Sequence, residues 1–234
     1  MRVLLTRAAE DCARSARFLR RLGIEAVCAP LIETRPADPP PPLATCDGVI
    51  VTSAKAAPYL AQLPPVCRTA PVFAVGPRTA RALARHGFAA RHVGAGDALS
   101  LLRDIPRLMS PPAHLVHVTG RDHKAEPAQG LRALGFCLTL WEAYEARALL
   151  AFAQEIVTAL EAGEIHAALH YSPRSAKLAL ARVGEAGLAE PFNGLRHVAI
   201  SLDVAMILRQ AGCPNVAAAS APNEKAMFRV LLGM

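Results

Sequence analysis

The chain has 234 residues, 53% of them hydrophobic and 19% charged, with a formal net charge of +7 and a pI near 9.4. This composition excludes a disordered chain and predicts a globular protein that buries a core, in one large domain or two small ones. The longest apolar runs fall well short of the ~18 residues that a membrane span requires. The opening MRVLLTR predicts a first β-strand rather than a signal peptide, so we expect a cytoplasmic protein without a membrane segment.

The basic residues are four lysines and 22 arginines, dispersed along the chain. Arginine suits recognition of carboxylates and phosphates, so the charge favours an anionic ligand. A nucleic-acid partner is not predicted, because only 5% of residues are aromatic and no nucleic-acid-binding motif occurs.

The six cysteines are scattered without a CxxC pair, which predicts reduced and mostly buried thiols. His114 and His117 lie three residues apart on a predicted strand, and this spacing turns their side chains to opposite faces. We therefore predict no metal site.

Short aliphatic runs of strand length alternate with amphipathic segments such as AEDCARSARFLRRLG and PRTARALARHG, each ending at a helix-terminating glycine. This alternation predicts an α/β fold with parallel sheets. The ten predicted strands are Val3–Thr6, Glu25–Ala29, Gly48–Val51, Pro71–Ala74, Ala90–Val93, Leu115–Thr119, Cys137–Trp141, Ala167–Tyr171, His197–Ile200 and Asn215–Ala218.

The order of these pieces repeats. MRVLLTR and its following helix correspond to HLVHVTGR, VIVTSAKAA corresponds to ALHYSPRSA, and VFAVGPRTARALARHGF corresponds to HVAISLDVAMILRQAGC. The repeat predicts two flavodoxin-like parallel-sheet domains of about five strands each.

The proline-rich stretch RPADPPPP is a stiff, extended connector, and its counterpart in the repeat is EAYEARA. If both segments cross between domains, the domains are interleaved and the two-stranded linker faces a cleft. The predicted layout is a terminal domain of 1–35 plus 149–234, a central domain of 40–142, and linkers 36–39 and 143–148. Two tandem domains would show the same repeat, so this alternative stays open.

Hydroxyl, glycine and arginine residues follow the predicted strands. The carboxyl ends of parallel strands face helix N-termini, whose free N–H groups favour anions. Each serine or threonine alone is a helix cap, whereas the set predicts a crevice for a ligand with many carboxylates. Its members are Thr6, Arg7, Thr52, Ser53, Gly76, Thr79, Thr119, Gly120, Arg121, Ser172, Ser175 and Ser201.

Several cofactor and catalytic motifs do not occur in the sequence. It has no GxGxxG turn, no GxxxxGK[ST] loop and no GxSxG elbow. We therefore expect a reaction that uses no cofactor and depends on the shape of its substrate.

With these residues identified, the chain resembles the uroporphyrinogen-III synthase family over nearly its whole length. The resemblance lies in VLLTR, VIVTSAKA, FAVGPRTARAL, HVTGR, LGFCLTLWEAYEAR, HYSPRSA, HVAIS and APNEKAM, in that order. It implies two α/β domains on a two-stranded linker, with the active site in the cleft.

The resemblance also implies the reaction. The family closes hydroxymethylbilane, a linear tetrapyrrole polycarboxylate, into uroporphyrinogen III and inverts ring D through a spiro intermediate after water is lost from ring A. The implied protein is a monomeric, cofactor-independent lyase of tetrapyrrole and haem biosynthesis, with transient contact to the preceding pathway enzyme as a further expectation.

Site residues carry over by motif. The family's tyrosine in water loss corresponds to Tyr144, and its threonine in the VGxxT turn corresponds to Thr79. Thr52, Ser53 and Ser172 correspond to its strand-end hydroxyls. Arg196 lies where family members often have a basic residue.

Three residues of the terminal half depart from the family pattern: Val204 stands in place of threonine, Asp203 adds a negative charge, and Tyr171 replaces threonine. These departures leave room for a non-catalytic tetrapyrrole- or anion-binding regulatory protein of the same fold. A flavodoxin-like redox role rests on fold analogy alone.

Overall fold

The computed structural model describes residues 1–233, with residue 10 described by its backbone only. The chain divides into two compact units. The terminal unit comprises Met1–Glu33 and the segment from Arg147 onward, and the central unit is Thr34–Ala146. Within residues 1–233, no helix is both long and apolar enough to cross a membrane.

Strands and helices alternate along most of the chain. In chain order the strands are β1 (Arg2–Leu5), β2 (Glu25–Cys28), β3 (Ile32–Pro36), β4 (Gly48–Val51), β5 (Val72–Ala74), β6 (Ala90–Val93), β7 (His114–Gly120), β8 (Cys137–Ala148), β9 (Ala167–His170), β10 (Arg196–Ala199) and β11 (Val216–Ala218). The helices are α1 (Ala9–Arg21), α2 (Pro65–Arg68), α3 (Pro77–Arg85), α4 (Ala98–Leu108), α5 (Ala128–Ala133), α6 (Gln154–Glu161), α7 (Pro173–Glu185), α8 (Ala189–Asn193), α9 (Leu202–Gln210) and α10 (Glu224–Leu232). A 3-10 helix, Ala54–Gln62, contains Pro58, which lacks the N–H that an α-helix would use there.

The two sheets have the same strand order when the strands of each are matched according to the sequence repeat. The terminal unit has the order β2-β1-β9-β10-β11, all parallel, and the central unit has β8-β7-β4-β5-β6 with β3 added beside β8. Counted within the terminal unit, this is the flavodoxin-like order 2-1-3-4-5. The predicted α/β class with two parallel sheets is confirmed.

The strand predictions hold at most positions and fail at the segments predicted as linkers. Nine of the ten predicted strands lie within one residue of their expected bounds, but β8 continues to Ala148. β3 was not predicted from the sequence, so the central sheet has six strands rather than the expected five. Backbone N–H groups of Ala37 and Asp38 donate to the carbonyls of Ala143 and Glu142 at 3.1 and 3.0 Å, which shows that β3 runs antiparallel to β8.

Both sheets are buried on two faces, as parallel sheets with helices on each side require. In the central sheet, Val49 and Val51 pack with Trp141 on one face, whereas Ile50 packs with Phe73 on the other. The terminal sheet follows the same two-residue period: its alternate residues enter two separate apolar clusters. All six cysteines are free thiols, and four of them are buried.

Two histidines meet inside the terminal unit. His170 on β9 and His197 on β10 are fully buried, and their Nε2 and Nδ1 atoms lie 3.1 Å apart. The Nε2 atom of His197 lies 3.0 Å from the carbonyl of Phe192. Burial and the neighbouring imidazole lower the pKa of His170 to about 3, and burial also lowers the pKa of His197. Both rings are therefore neutral at pH 7.

We expect acid to destabilise the protein through these rings. Below pH ~6.5 the imidazoles of the unfolded chain bind protons, whereas the buried rings stay neutral. The free energy of unfolding therefore falls with pH, by up to about 1.4 kcal/mol per pH unit for His170 and in the same direction for His197. Urea unfolding between neutral pH and about pH 4.5 measures this slope. His170→Gln should make the slope shallower, whereas the same change at the exposed His86 should leave it unaltered. An unchanged slope in His170→Gln would contradict the assignment.

Candidate active site

The carboxyl end of the central sheet, where its parallel strands end, brings several predicted residues together. Val51 at the end of β4 is in register with Val118 on β7, and Gly120 on β7 is in register with Tyr144 on β8. Thr52 and Ser53 directly follow β4. Tyr144, Gly120, Thr119, Thr52 and Ser53 therefore occupy neighbouring positions at one end of one sheet.

A bulge in β8 sets the orientation of Tyr144. The register shifts between Thr119, which pairs with Glu142, and Gly120, which pairs with Tyr144, so β8 has one extra residue there. Regular alternation would turn Tyr144 away from Trp141. Instead, Trp141, Ala143 and Tyr144 all enter one buried cluster.

Aromatic and backbone contacts hold the Tyr144 ring. The ring is 7% exposed and stacks on Tyr59, with centroids 5.7 Å apart and planes 22° from parallel. On another side the ring lies against the backbone of Gly120, where an added Cβ would stand 2.6 Å from Tyr144 Cε2. Gly120 is thus needed for the close approach of the ring, which the sequence analysis did not foresee.

The Tyr144 hydroxyl is a neutral donor at physiological pH. Burial raises the pKa of Tyr144 above its ordinary value of 10.0, and a hydrogen bond with the Ser53 side chain offsets part of this rise. Ser53 also caps the 3-10 helix, since its hydroxyl accepts from the N–H of Lys55 at 3.3 Å. Ser53 therefore links a helix N-terminus to the phenol.

Thr52 contacts a different partner. Its Oγ1 lies 2.9 Å from Nε2 of His117, a residue of β7 that is 1% exposed. From the sequence, His117 was considered only as an unsuitable metal ligand. The structure places it in direct contact with a predicted site residue.

The VGPRT turn follows β5 at the same end of the central sheet. Gly76 precedes α3 in an extended conformation, Pro77 is the first residue of the helix, and Thr79 in the first turn is 4% exposed. A Cβ on Gly76 would stand 2.9 Å from the Cα of Gly96. The glycine therefore allows two loops to approach closely.

Arg121 is surrounded by acidic residues of its own unit. It bonds to Asp38 at 3.0 Å and to Glu145 at 2.8 Å, with Glu142 at 3.5 Å. The side chain is 49% exposed, so a substrate carboxylate could reach it only by exchange with these partners.

In the terminal unit, Arg7 is likewise paired. Its guanidinium contacts Glu224 at 2.6 Å and Asp11 at 3.5 Å, and it lies 4.0 Å from the centre of the Tyr171 ring. The neighbouring Thr6 is fully buried, and its hydroxyl lies 3.4 Å from the Leu169 carbonyl. The Thr6 hydroxyl and the Arg7 guanidinium therefore already have partners within the terminal unit.

The serines after β9 and β10 both occupy N-cap positions, but only Ser172 caps its helix with its side chain. Ser172 accepts from the Ser175 N–H at 3.1 Å, and the Ser175 hydroxyl donates to the Ser172 carbonyl at the same distance. Ser201 precedes α9 and bonds to Asp203, and this bond lowers the pKa of the Asp203 carboxyl. Val204 is fully buried against Ala205 and Leu208.

Arg196 is not brought together with the other predicted residues. It begins β10, at the amino end of the terminal sheet, and donates to the carbonyls of Val230 and Leu231 at 2.6 and 3.0 Å. Those carbonyls lie in the last turn of α10, so Arg196 stabilises a helix C-terminus.

Within the described residues, no group of three or more His, Cys, Asp or Glu side chains could hold a metal ion. The donors at the carboxyl ends of both sheets are instead hydroxyls, backbone N–H groups and the paired guanidinium groups of Arg7 and Arg121. Such groups suit an anionic organic ligand.

Comparison with known families identifies the fold and its chemistry. A family model described as uroporphyrinogen-III synthase HemD matches residues 13–229. The chain belongs to the uroporphyrinogen-III synthase family. This confirms the resemblance seen in the sequence motifs.

Solved structures support the fold. The uroporphyrinogen-III synthetase from Helicobacter pylori shares 16% identity with a TM-score of 0.64, and the alignment covers 100% of this chain and 99% of that one. A mutant uroporphyrinogen III synthase from the extremely thermophilic bacterium Thermus thermophilus also shares 16% identity, with a TM-score of 0.50 and coverage of 100% and 98%. A search of curated protein sequences found no match.

Family membership defines the activity as a cofactor-independent lyase reaction of porphyrin biosynthesis. The linear tetrapyrrole hydroxymethylbilane is cyclised to uroporphyrinogen III, with loss of water and inversion of ring D through a spiro intermediate. This function is the one that the sequence motifs predicted.

Proposed function

We propose that the reaction begins at the carboxyl end of the central sheet, with Tyr144 as the donor that assists loss of the ring A hydroxyl. The observation that supports this most directly is a buried, neutral phenol held by Tyr59, Gly120 and Ser53. A fixed donor needs no reorganisation when charge develops on the leaving oxygen.

Tyr144 is proposed to act as a general acid: its O–H proton passes to the ring A hydroxyl as the C–O bond breaks, so the hydroxyl leaves as water and a phenolate remains. Because burial raises the pKa of Tyr144, the phenolate is short-lived and takes back the proton that the pyrrole rings release when the macrocycle closes. The azafulvene cation then remains for ring D to attack. Conformational control of the chain ends favours attack through the substituted carbon over direct head-to-tail closure.

Substrate carboxylates are proposed to bind hydroxyls and helix N-termini first. In the central unit these groups are Thr52, Ser53 and the start of α3 at Gly76 and Thr79. In the terminal unit the N-termini of α7 and α9, with Ser172 and Ser201 at their N-cap positions, offer the same chemistry.

Arg7 and Arg121 are proposed as secondary contacts. Each already pairs with acidic residues, so a substrate carboxylate would replace an internal carboxylate rather than meet a free cation. At Arg121, whose side chain is 49% exposed, such an exchange gains little net free energy; at Arg7, which is only 14% exposed, it would leave Glu224 without its partner. The larger share of carboxylate binding is therefore assigned to the hydroxyls and N–H groups.

The product isomer tests the activity of this chain. Purified protein is mixed with freshly prepared hydroxymethylbilane, and the oxidised porphyrins are separated by chromatography. We expect isomer III to dominate, whereas a reaction without protein yields isomer I. Isomer I alone in the presence of folded protein would contradict the proposal.

A non-catalytic tetrapyrrole-binding role is the second candidate. It is favoured by the terminal unit, where Val204 and Tyr171 stand in place of threonines of the family pattern. Val204 is buried, and the Arg7 guanidinium stacks on the Tyr171 ring. Tight binding of the tetrapyrrole without any shift toward isomer III would support this candidate over the synthase.

A monomeric state, a cytoplasmic location and transient contact with the preceding pathway enzyme remain predictions. Light scattering coupled to size-exclusion chromatography measures the first directly.

A further inference from the structure

His117 is unusual for its position. It occupies β7 between Val116 and Val118, is 1% exposed, and lies in register with Ile50 of β4. An apolar residue would fill such a site without polar atoms to satisfy. The histidine therefore calls for an explanation beyond packing.

Only one of the two ring nitrogens of His117 has a partner among the described residues. Nε2 lies 2.9 Å from Thr52 Oγ1, whereas Nδ1 is buried without any hydrogen-bond partner. Thr52 itself is half-buried, at the carboxyl end of the sheet. One nitrogen of the imidazole is thus buried without a partner, and the other contacts a residue of the proposed site.

The ring is neutral and carries one N–H. Burial, with smaller contributions from the nearby His123 and Arg132, lowers the pKa of His117 to about 4. If the hydrogen were on Nδ1, a buried donor would have nothing to bond, which native structures rarely tolerate. The hydrogen therefore belongs on Nε2, where it is donated to Thr52 Oγ1.

This tautomer determines what Thr52 can do. Because the Thr52 oxygen accepts from His117, its own hydrogen is free to point away from the ring. We propose that His117 is a positioning residue that keeps the Thr52 hydroxyl oriented as a donor to a substrate carboxylate. The proposal rests on the proposed role of Thr52 in binding the tetrapyrrole.

A double-mutant cycle tests this coupling. Thr52→Val should raise the KM for hydroxymethylbilane about tenfold, the size expected for one hydrogen bond to a charged group, and His117→Leu should raise it by about fivefold. The double variant should match Thr52→Val alone, because His117 acts only through that hydroxyl. We expect kcat to change by less than about twofold in all three.

Two further variants and measurements separate positioning from structural support. His117→Gln places an amide N–H near the position of Nε2 and should restore much of the wild-type KM. The Tm of His117→Leu should equal or exceed that of wild type, since the change removes an unpaired buried nitrogen. A lower Tm with a lower kcat, or KM effects that multiply in the double variant, would overturn the proposal.

Two further measurements do not depend on turnover. The 15N chemical shifts of the His117 ring report its tautomer. The Kd of uroporphyrinogen III, measured anaerobically for the wild type, both single variants and the double variant, gives the same double-mutant cycle at equilibrium. A hydrogen on Nδ1, or additive changes in Kd, would overturn the role of His117. Formation of isomer I alone by the wild type would instead refute the activity, while the tautomer and the coupling in Kd are still measured.

Discussion

Replacing Tyr144 with phenylalanine should lower kcat by about 100-fold, within the range typical of a positioned acid or base. The phenyl ring keeps the stacking on Tyr59 and the contact with Gly120, so the fold around it is retained. The loss is confined to the hydroxyl that bonds Ser53 and is proposed to reach the leaving group. Stopped assays of hydroxymethylbilane consumption and of the isomer ratio measure the effect.

Tyr59→Phe is the matched control, because it removes a hydroxyl from the other ring of the same stack. We expect this variant to keep kcat within a few-fold of wild type. Unfolding free energies should differ by no more than about 1 kcal/mol between Tyr144→Phe and wild type. A wild-type rate in Tyr144→Phe would remove Tyr144 from the chemistry and return it to a packing role.

Gly120→Ala should lower activity nearly as far, through the position of the Tyr144 ring. The φ angle of Gly120 is not positive, so the backbone accepts alanine, but the new Cβ would stand 2.6 and 2.8 Å from Cε2 and Cζ of Tyr144. Because the Tyr144 ring is stacked on Tyr59, it can relieve this overlap only by shifting as a whole. We expect a destabilisation of about 1–3 kcal/mol, typical of overpacking, together with a loss of kcat.

Gly184→Ala provides the control for Gly120→Ala. Gly184 lies in α7, has a non-positive φ, and a Cβ there would meet no atom within 4 Å. Alanine at this helical position should stabilise the protein by roughly 0.5–1 kcal/mol and leave kcat unchanged. If Gly120→Ala behaves in the same way, Gly120 does not position the phenol. Adding Tyr144→Phe to Gly120→Ala should cause little further loss of kcat.

Strand positions in this chain are predictable because each buried strand is a short aliphatic run bounded by turn residues. β4 and β9 are buried along their whole length, and their sequences, GVIV and AALH, stand out from the amphipathic helices around them. β3 was missed because IETRP contains polar residues and a proline, which suggest a connector. Its pairing with β8 is a long-range contact that no local pattern reveals.

The residues at the strand ends were predictable as a set but not in their roles. Alternation along β4 turns Thr52 toward His117, while Ser53 bonds Tyr144, so two adjacent hydroxyls serve different partners. Arg7 is paired with Glu224, 217 residues away in sequence, and this partner gave no local signal. His117 could have been noticed as a polar residue between two valines of a predicted strand, but its contact with Thr52 could not.

The amino-acid sequence by itself determined the α/β class, the internal repeat, the family and the reaction, because aliphatic period, turn residues and motif order are local properties of the chain. Only the tertiary structure decided which strand-end groups stand together. The bulge that pairs Tyr144 with Gly120, the stacking of Tyr59 on Tyr144 and the contact of His117 with Thr52 each join residues from different strands or helices. Strand register and bulges arise from packing of the whole sheet, and these contacts exist only once that packing is complete.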